Sequence, residues 1–103
     1  MIYAEVERVY MDLLVDIGRA GMKRKIYLVW SNSKKRFLTI KEGDCREERL
    51  GTRDYDLIGT YVGKNGYPRF SQIYGDIYAF IQEETSKEYG CRPELEQLAQ
   101  AGG

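Results

Sequence analysis

Apolar residues recur over the first twenty positions at Ile2, Val6, Val9, Leu13, Ile17 and Ala20, in steps of three and four. That spacing draws one stripe along an α-helix. Tyr10 and Leu14 widen the stripe, and Glu5, Glu7, Arg8, Asp12, Asp16 and Arg19 occupy the other side. Acids early and Arg19 in the last turn suit the helix dipole. Gly18 and Gly21 mark the stop, with Gly21 the better C-terminal cap.

The period then changes. Lys25-Ile26-Tyr27-Leu28-Val29-Trp30 and Arg36-Phe37-Leu38-Thr39-Ile40 are rich in β-branched and aromatic residues, which predicts two strands around the turn signal Ser31-Asn32-Ser33. A three-residue loop pairs Trp30 with Arg36, Leu28 with Leu38 and Ile26 with Ile40. It gathers four aliphatics on one face, whereas a two-residue loop scatters them. The opposite face then carries Tyr27, Val29, Phe37 and Thr39. It is also apolar, so the hairpin is expected to be covered on both sides or to face a partner.

Glu42-Gly43-Asp44 turns the chain, and the charged stretch from Cys45 to Asp54 reads as an edge strand or a surface loop. Tyr55 to Val62 reads as a third strand and Gly63-Lys64-Asn65-Gly66 as a turn. Helical spacing returns at Phe70, Ile73, Tyr74, Ile77, Tyr78 and Ile81, with Phe80 beside it and Pro68 suited to a first turn. Gly75 weakens this helix by roughly 1 kcal/mol relative to Ala. A strand over Tyr67 to Tyr74 is the competing assignment. Gly90 reads as the cap, and Pro93 opens a short amphipathic stretch with Leu95 and Leu98. The order predicts one α+β domain over residues 1–103. It comprises an N-terminal helix, a small antiparallel sheet (a meander of about three strands), a C-terminal helix and a short terminal helix, with the helices on one face of the sheet.

Composition narrows the chemistry. The 103 residues include 43% hydrophobic and 31% charged residues, a globular balance. The absence of histidine excludes Ser-His-Asp and Cys-His catalysis within the chain, and His-containing metal sites. Cys45 and Cys91 have no metal-ligand spacing and are expected to be reduced. No cofactor and no metal site are expected. No apolar run approaches the roughly 20 residues of a membrane span, and the first residues lack a signal-peptide plan. The expectation is a cytoplasmic chain without a membrane partner.

Three motifs are weighed against plainer accounts. Gly59 to Asn65 is similar to a phosphate loop, but its spacer is one residue short and Asn65 stands where a hydroxyl holds magnesium, so it reads as strand plus turn. A helix before a meander also occurs in metal-dependent nucleases. Asp54, Asp56 and Lys64 are the candidates here, and Val62 stands where a second acid is needed. The terminal Gly102-Gly103 is similar to the tail of ubiquitin-like modifiers and small sulfur-carrier proteins. There the tail follows a strand, whereas Glu94 to Gln100 reads as helical, so a frayed end is expected.

Sixteen basic residues balance sixteen acids, but they are segregated. Arg19, Lys23, Arg24, Lys25, Lys34, Lys35, Arg36 and Lys41 occupy a stretch without an acid, and acids dominate after Asp76. Lys23, Arg24, Lys25 and Lys41 belong at the open end of the hairpin, and Lys34, Lys35 and Arg36 at its tip. Two readings follow. The first is a non-enzymatic binding module for a protein partner or a second copy of itself, with a homodimer expected. Tyr27, Val29, Phe37, Tyr55 and Tyr67 are its candidate surface residues. Tyr74 and Tyr78 are assigned to the core stripe of the second helix. The alternative is a nucleic-acid-binding protein that uses Lys23, Arg24, Lys25, Lys34, Lys35, Arg36 and Lys41 on phosphates, with Trp30, beside Phe37, placed to stack on bases. A metal-dependent enzyme comes third, and no catalytic residue is assigned.

Overall fold

In the computed structural model residues 2–21 and 23–88 are described. The expectations for Gly90, Cys91, the Leu95–Leu98 stretch and Gly102-Gly103 lie outside them. Helix α1 spans Ile2–Ala20 and ends where Gly21 adopts a φ of 87°, a conformation that glycine reaches without strain. Its stripe of Val6, Val9, Leu13 and Ile17 is buried, as the spacing requires. Strands β1 (Lys25–Ser31), β2 (Arg36–Lys41) and β3 (Tyr55–Val62) form one antiparallel sheet, and α2 covers Phe70–Glu88. The competing strand over 67–74 is thereby replaced by helix from Phe70 onward.

The architecture is α+β with both helices on one sheet face. The strand order is β2-β1-β3, so β1 lies in the middle and the strands do not run as a simple meander. β1 holds the centre because Ile26 to Trp30 is apolar at every position, and a central strand is buried on both faces. After β2 the chain therefore crosses the sheet to reach the far edge of β1. The crossing carries a 3-10 turn over Cys45–Arg49, which is the loop alternative for this charged stretch.

The hairpin register is shifted by one residue from the expected pairing. Ser31 faces Arg36 and Trp30 faces Phe37, which leaves a four-residue loop, Asn32 to Lys35. Ser31 makes this loop. Its buried hydroxyl accepts from the Lys34 N–H at 3.1 Å, and its carbonyl accepts from the Lys35 N–H at 2.8 Å. Lys35 closes the turn at φ 57°. A one-residue slip moves a whole strand's side chains to the other face. Ile26, Leu28 and Trp30 now share the helix side with Phe37, and Tyr27 and Val29 share the opposite side with Leu38 and Ile40. The four aliphatics expected on one face are thus divided between two cores.

The larger core joins α1, α2 and the sheet through Leu13, Ile26, Leu28, Ile73 and Ile77. The smaller one packs Val29, Ile40 and Tyr55 with Tyr27, Leu38 and Leu50 beneath the crossing segment. Asp44 begins the 3-10 turn by accepting from the Arg46 N–H at 2.8 Å. The Arg46 guanidinium holds the Asp44 carboxyl well below the usual carboxylate range. The Tyr27 hydroxyl donates to the Glu47 carboxylate at 2.8 Å and ties the turn to β1. That bond first, then burial, pushes the Tyr27 phenol up to about 12, and it holds Glu47 down.

The sign follows from linkage. A phenol raised in the folded state contributes stability in full below its unfolded value of about 10, and that stability is lost as the pH rises through about 12. Glu47→Gln is expected to bring the Tyr27 ionisation back towards 10. Ultraviolet titration of the variant against the parent, with Tyr27→Phe identifying the band, checks this. An unmoved ionisation would mean that Glu47 does not hold the phenol.

β3 is irregular in a useful way. Val29 pairs with Leu57 and Leu28 with Gly59, so Ile58 is an extra residue in a bulge. Tyr55 and Tyr61 are an even number of positions apart and would share a face in a regular strand. The bulge sends Tyr55 to the small core and Tyr61 to the large one. Gly59 permits this, because a Cβ there would stand 2.5 Å from the Tyr61 hydroxyl. The Tyr61 hydroxyl donates to Asp76 of α2 at 3.1 Å, and burial, then Asp76, pushes its ionisation upward.

Candidate functional site

At the tip end of the hairpin the helices and the sheet diverge and leave a groove of about 750 Å³. Its apolar lining comes from Trp30, Phe37, Phe80 and Ile81. The Trp30 and Phe37 rings meet edge to face at 4.8 Å, and Phe80 lies 6.3 Å from each. Phe37 is 3% exposed and acts as the base of this cluster, whereas Trp30 and Phe80 are half-buried. Lys35 and Arg36 line the groove from the loop and the start of β2, and both are exposed.

The walls are tied down. The Arg8 guanidinium donates to Glu5 at 2.8 Å, to Asp12 at 3.1 Å and to the Phe37 carbonyl at 3.2 Å. The Asn32 side-chain amide donates to the Arg53 carbonyl at 2.9 Å and to Asp56 at 3.1 Å, and its backbone N–H donates to the Asp54 carbonyl at 3.0 Å. The loop that carries Lys35 is therefore braced against the start of β3 before any ligand arrives. Such bracing lowers the ordering cost of binding.

The sequence-derived residues divide unevenly over the fold. Lys34, Lys35 and Arg36 are exposed at the tip, and Lys23, Arg24, Lys25 and Lys41 are exposed at the open end. None of these seven makes an ion pair with another described residue. Arg36 and Lys41 are five strand steps apart, about 17 Å. A hollow of about 380 Å³ at the open end is lined by Arg19, Arg24 and Lys41. Asp12 and Asp16 stand between the two clusters along the α1–β2 side, in a hollow that also holds Arg19 and Arg36. Asp16 accepts a hydrogen bond from Thr39. The cations thus form two separate groups and not one track.

The candidate partner residues need correction. Val29 (0% exposed), Phe37 and Tyr55 (6%) are inside the two cores, and Tyr27 is half-buried with its hydroxyl engaged by Glu47. They build the fold: the crossing segment covers Tyr27, Val29 and Tyr55, and the helices cover most of Phe37. Tyr67 remains open at 63%, with its hydroxyl over Gly18. Tyr78, assigned to the core stripe, is 49% exposed and stacks on the half-buried Tyr74. The stripe centres on Ile73 and Ile77, and a residue one position further lies about 100° round the helix.

Phe80, Ile81 and Arg8 were not singled out from sequence as site residues. Only the packing of α1 and α2 against the hairpin tip brings them together, although Phe80 carried the signal of an apolar residue beside the main stripe.

Asp54 and Asp56 are at the start of β3 and Lys64 is past its end, so the nuclease-like trio is not assembled. Among the described residues no three His, Cys, Asp or Glu side chains are grouped to hold a metal ion. Cys45 is an exposed thiol. Among them, too, no helix is long and apolar enough to cross a membrane. The chain matches no protein-family model, no curated protein and no solved structure.

Proposed function

We propose that this protein is a binding module, without catalytic chemistry of its own, that docks a segment of a partner protein in the hairpin-tip groove. The observation that carries the proposal is the groove itself: a braced cavity of about 750 Å³ with half-buried Trp30 and Phe80 in its lining. Its size falls within the range of roughly 300–1,000 Å³ typical of ligand sites. Half-buried aromatic side chains in a fixed frame are the usual anchoring features of protein interfaces.

A partner other than a second copy fits the sheet edges better. Two copies of β2 paired antiparallel about their centre would set Arg36 against Lys41, like charge on like. The bulge at Ile58 distorts the other edge. The nucleic-acid alternative keeps its exposed cations, but Phe37 is closed to stacking, and Asp12 and Asp16 interrupt the path between clusters.

Trp30 is the only tryptophan, so its emission reports on the groove. Peptides selected from a displayed random library on the intact protein are expected to shift that emission saturably and to compete with one another. Single- and double-stranded oligonucleotides at low salt are expected to leave it unchanged. Saturable quenching by oligonucleotides, with no response to any selected peptide, would transfer the function to the nucleic-acid reading.

A further inference from the structure

The groove's charge points to the chemistry of its occupant. Resting on the docking reading above, we infer that the groove takes an acidic segment carrying one bulky apolar side chain. The anchor packs on the accessible faces of Trp30 and Phe80, and flanking carboxylates meet Lys35 and Arg36.

Four observations converge on this occupant. First, Trp30, Phe37, Phe80 and Ile81 form an apolar part of the lining, and such a surface recognises a side chain by burial and shape. Second, the cations at the mouth are unsatisfied within the described fold. Lys34, Lys35 and Arg36 follow one another at the tip, all exposed, with no ion pair to another described residue. Arg8, the remaining cation of the lining, is already bound to Glu5, Asp12 and the Phe37 carbonyl, so it serves as wall and not as receptor. Third, the loop is held from below by Asn32, which fixes where the Lys35 and Arg36 charges stand relative to that surface.

Fourth, the same groove also carries Glu5 and Glu84. Glu5 already holds Arg8, so among the described lining residues only Lys35 and Arg36 remain to meet a phosphodiester chain, which brings a negative charge at every residue. A peptide, whose acids are spaced by neutral backbone, needs no more cations than these two. An extended peptide advances about 3.3 Å per residue, so an anchor and an acid one or two positions away span the distance from an aromatic surface to a cationic rim. Electrostatic attraction at such a rim adds selectivity and speeds association more than it adds affinity.

The test uses the intact protein, Trp30 emission, and three blocked peptides with a single central Phe flanked by Glu, by Gln or by Lys. The Glu peptide is expected to bind about tenfold tighter than the Gln peptide, and the Lys peptide weakest of all. Raising salt from about 50 to about 300 mM should narrow the gap between Glu and Gln peptides, because exposed charges are screened. The double variant Lys35→Glu with Arg36→Glu lies on exposed positions, and its circular dichroism and melting curve are expected to match the parent. It should invert the order, so that the Lys peptide becomes the tightest.

Equal affinity for the Glu and Gln peptides, unchanged by salt, would overturn the acidic preference and leave the groove a protein-docking site. An absence of response to all three peptides would overturn both the preference and the docking site. Tighter binding of oligothymidylate than of the Glu peptide would overturn the inference in favour of nucleic acid. Retention of the Glu-peptide preference by the charge-reversed variant would place the acid-recognising cations elsewhere.

Discussion

Leu13→Ala is expected to lower the stability of the folded chain by about 2–5 kcal/mol, the usual cost of truncating a core leucine. Leu13 is fully buried at the middle of α1, in the core that α1 forms with α2, β1 and β2. Alanine is the better helix former, so the backbone of α1 gains slightly from the change, and the loss comes from the cavity and the missing contacts. The cost should lie towards the upper part of the range, because three elements meet there and none can close the gap without disturbing the others. Urea unfolding followed by Trp30 emission and by far-ultraviolet circular dichroism should give coincident transitions with a lowered midpoint. A loss under about half a kilocalorie would detach α1 from the core and remove one wall of the groove.

Ile40→Ala tests the other side of the sheet. Were the second hairpin face open to a partner, this truncation would cost little in the isolated chain. Instead Ile40 is fully buried with Val29 and Tyr55 under the crossing segment, so about 2–3 kcal/mol is expected, in the lower part of the range for such truncations. The lower part applies because the cover is irregular chain, fastened by the Tyr27–Glu47 hydrogen bond and the packing of Leu50, and it can settle towards a cavity. The two cores are on opposite faces of β1. The Leu13→Ala and Ile40→Ala losses should therefore add to within about 0.5 kcal/mol in the double variant. A near-neutral Ile40→Ala would mean that the crossing segment does not cover this face.

The candidate site was half legible in the chain. The exposed cations were found at both ends of the hairpin because Lys and Arg are rarely buried without a partner. The aromatic half divides: Trp30 and Phe37 line the groove, whereas Tyr27, Val29 and Tyr55 belong to the small core. Tyr27, Val29, Phe37 and Tyr55 are apolar enough to form either a surface or a core, and alternation along a strand says only which of them share a face. Which face is covered depends on where a distant segment returns. Here the charged stretch with its 3-10 turn closes over one face, and α1 with α2 closes over the other, leaving Trp30 and Phe80 accessible at the tip end.

The sequence by itself determined the α+β class, α1 with its stop at Gly21, the strands at Lys25–Trp30, Arg36–Ile40 and Tyr55–Val62, and a helical spacing from Phe70 that a strand over Tyr67–Tyr74 still rivalled. These are local patterns, with apolar spacing matched to a helix or a strand and glycine at the stop. Tertiary structure alone decided the strand order, the hairpin register and the bulge. A three-residue and a four-residue loop both give an alternating strand. The choice between them was made by the buried Ser31 hydroxyl, by Lys35 in the left-handed conformation, and by two cores that each needed part of the aliphatic set. The same global packing set Trp30, Phe80, Lys35 and Arg36 around one groove, since residues 50 positions apart in sequence become neighbours only when α2 lies across the sheet.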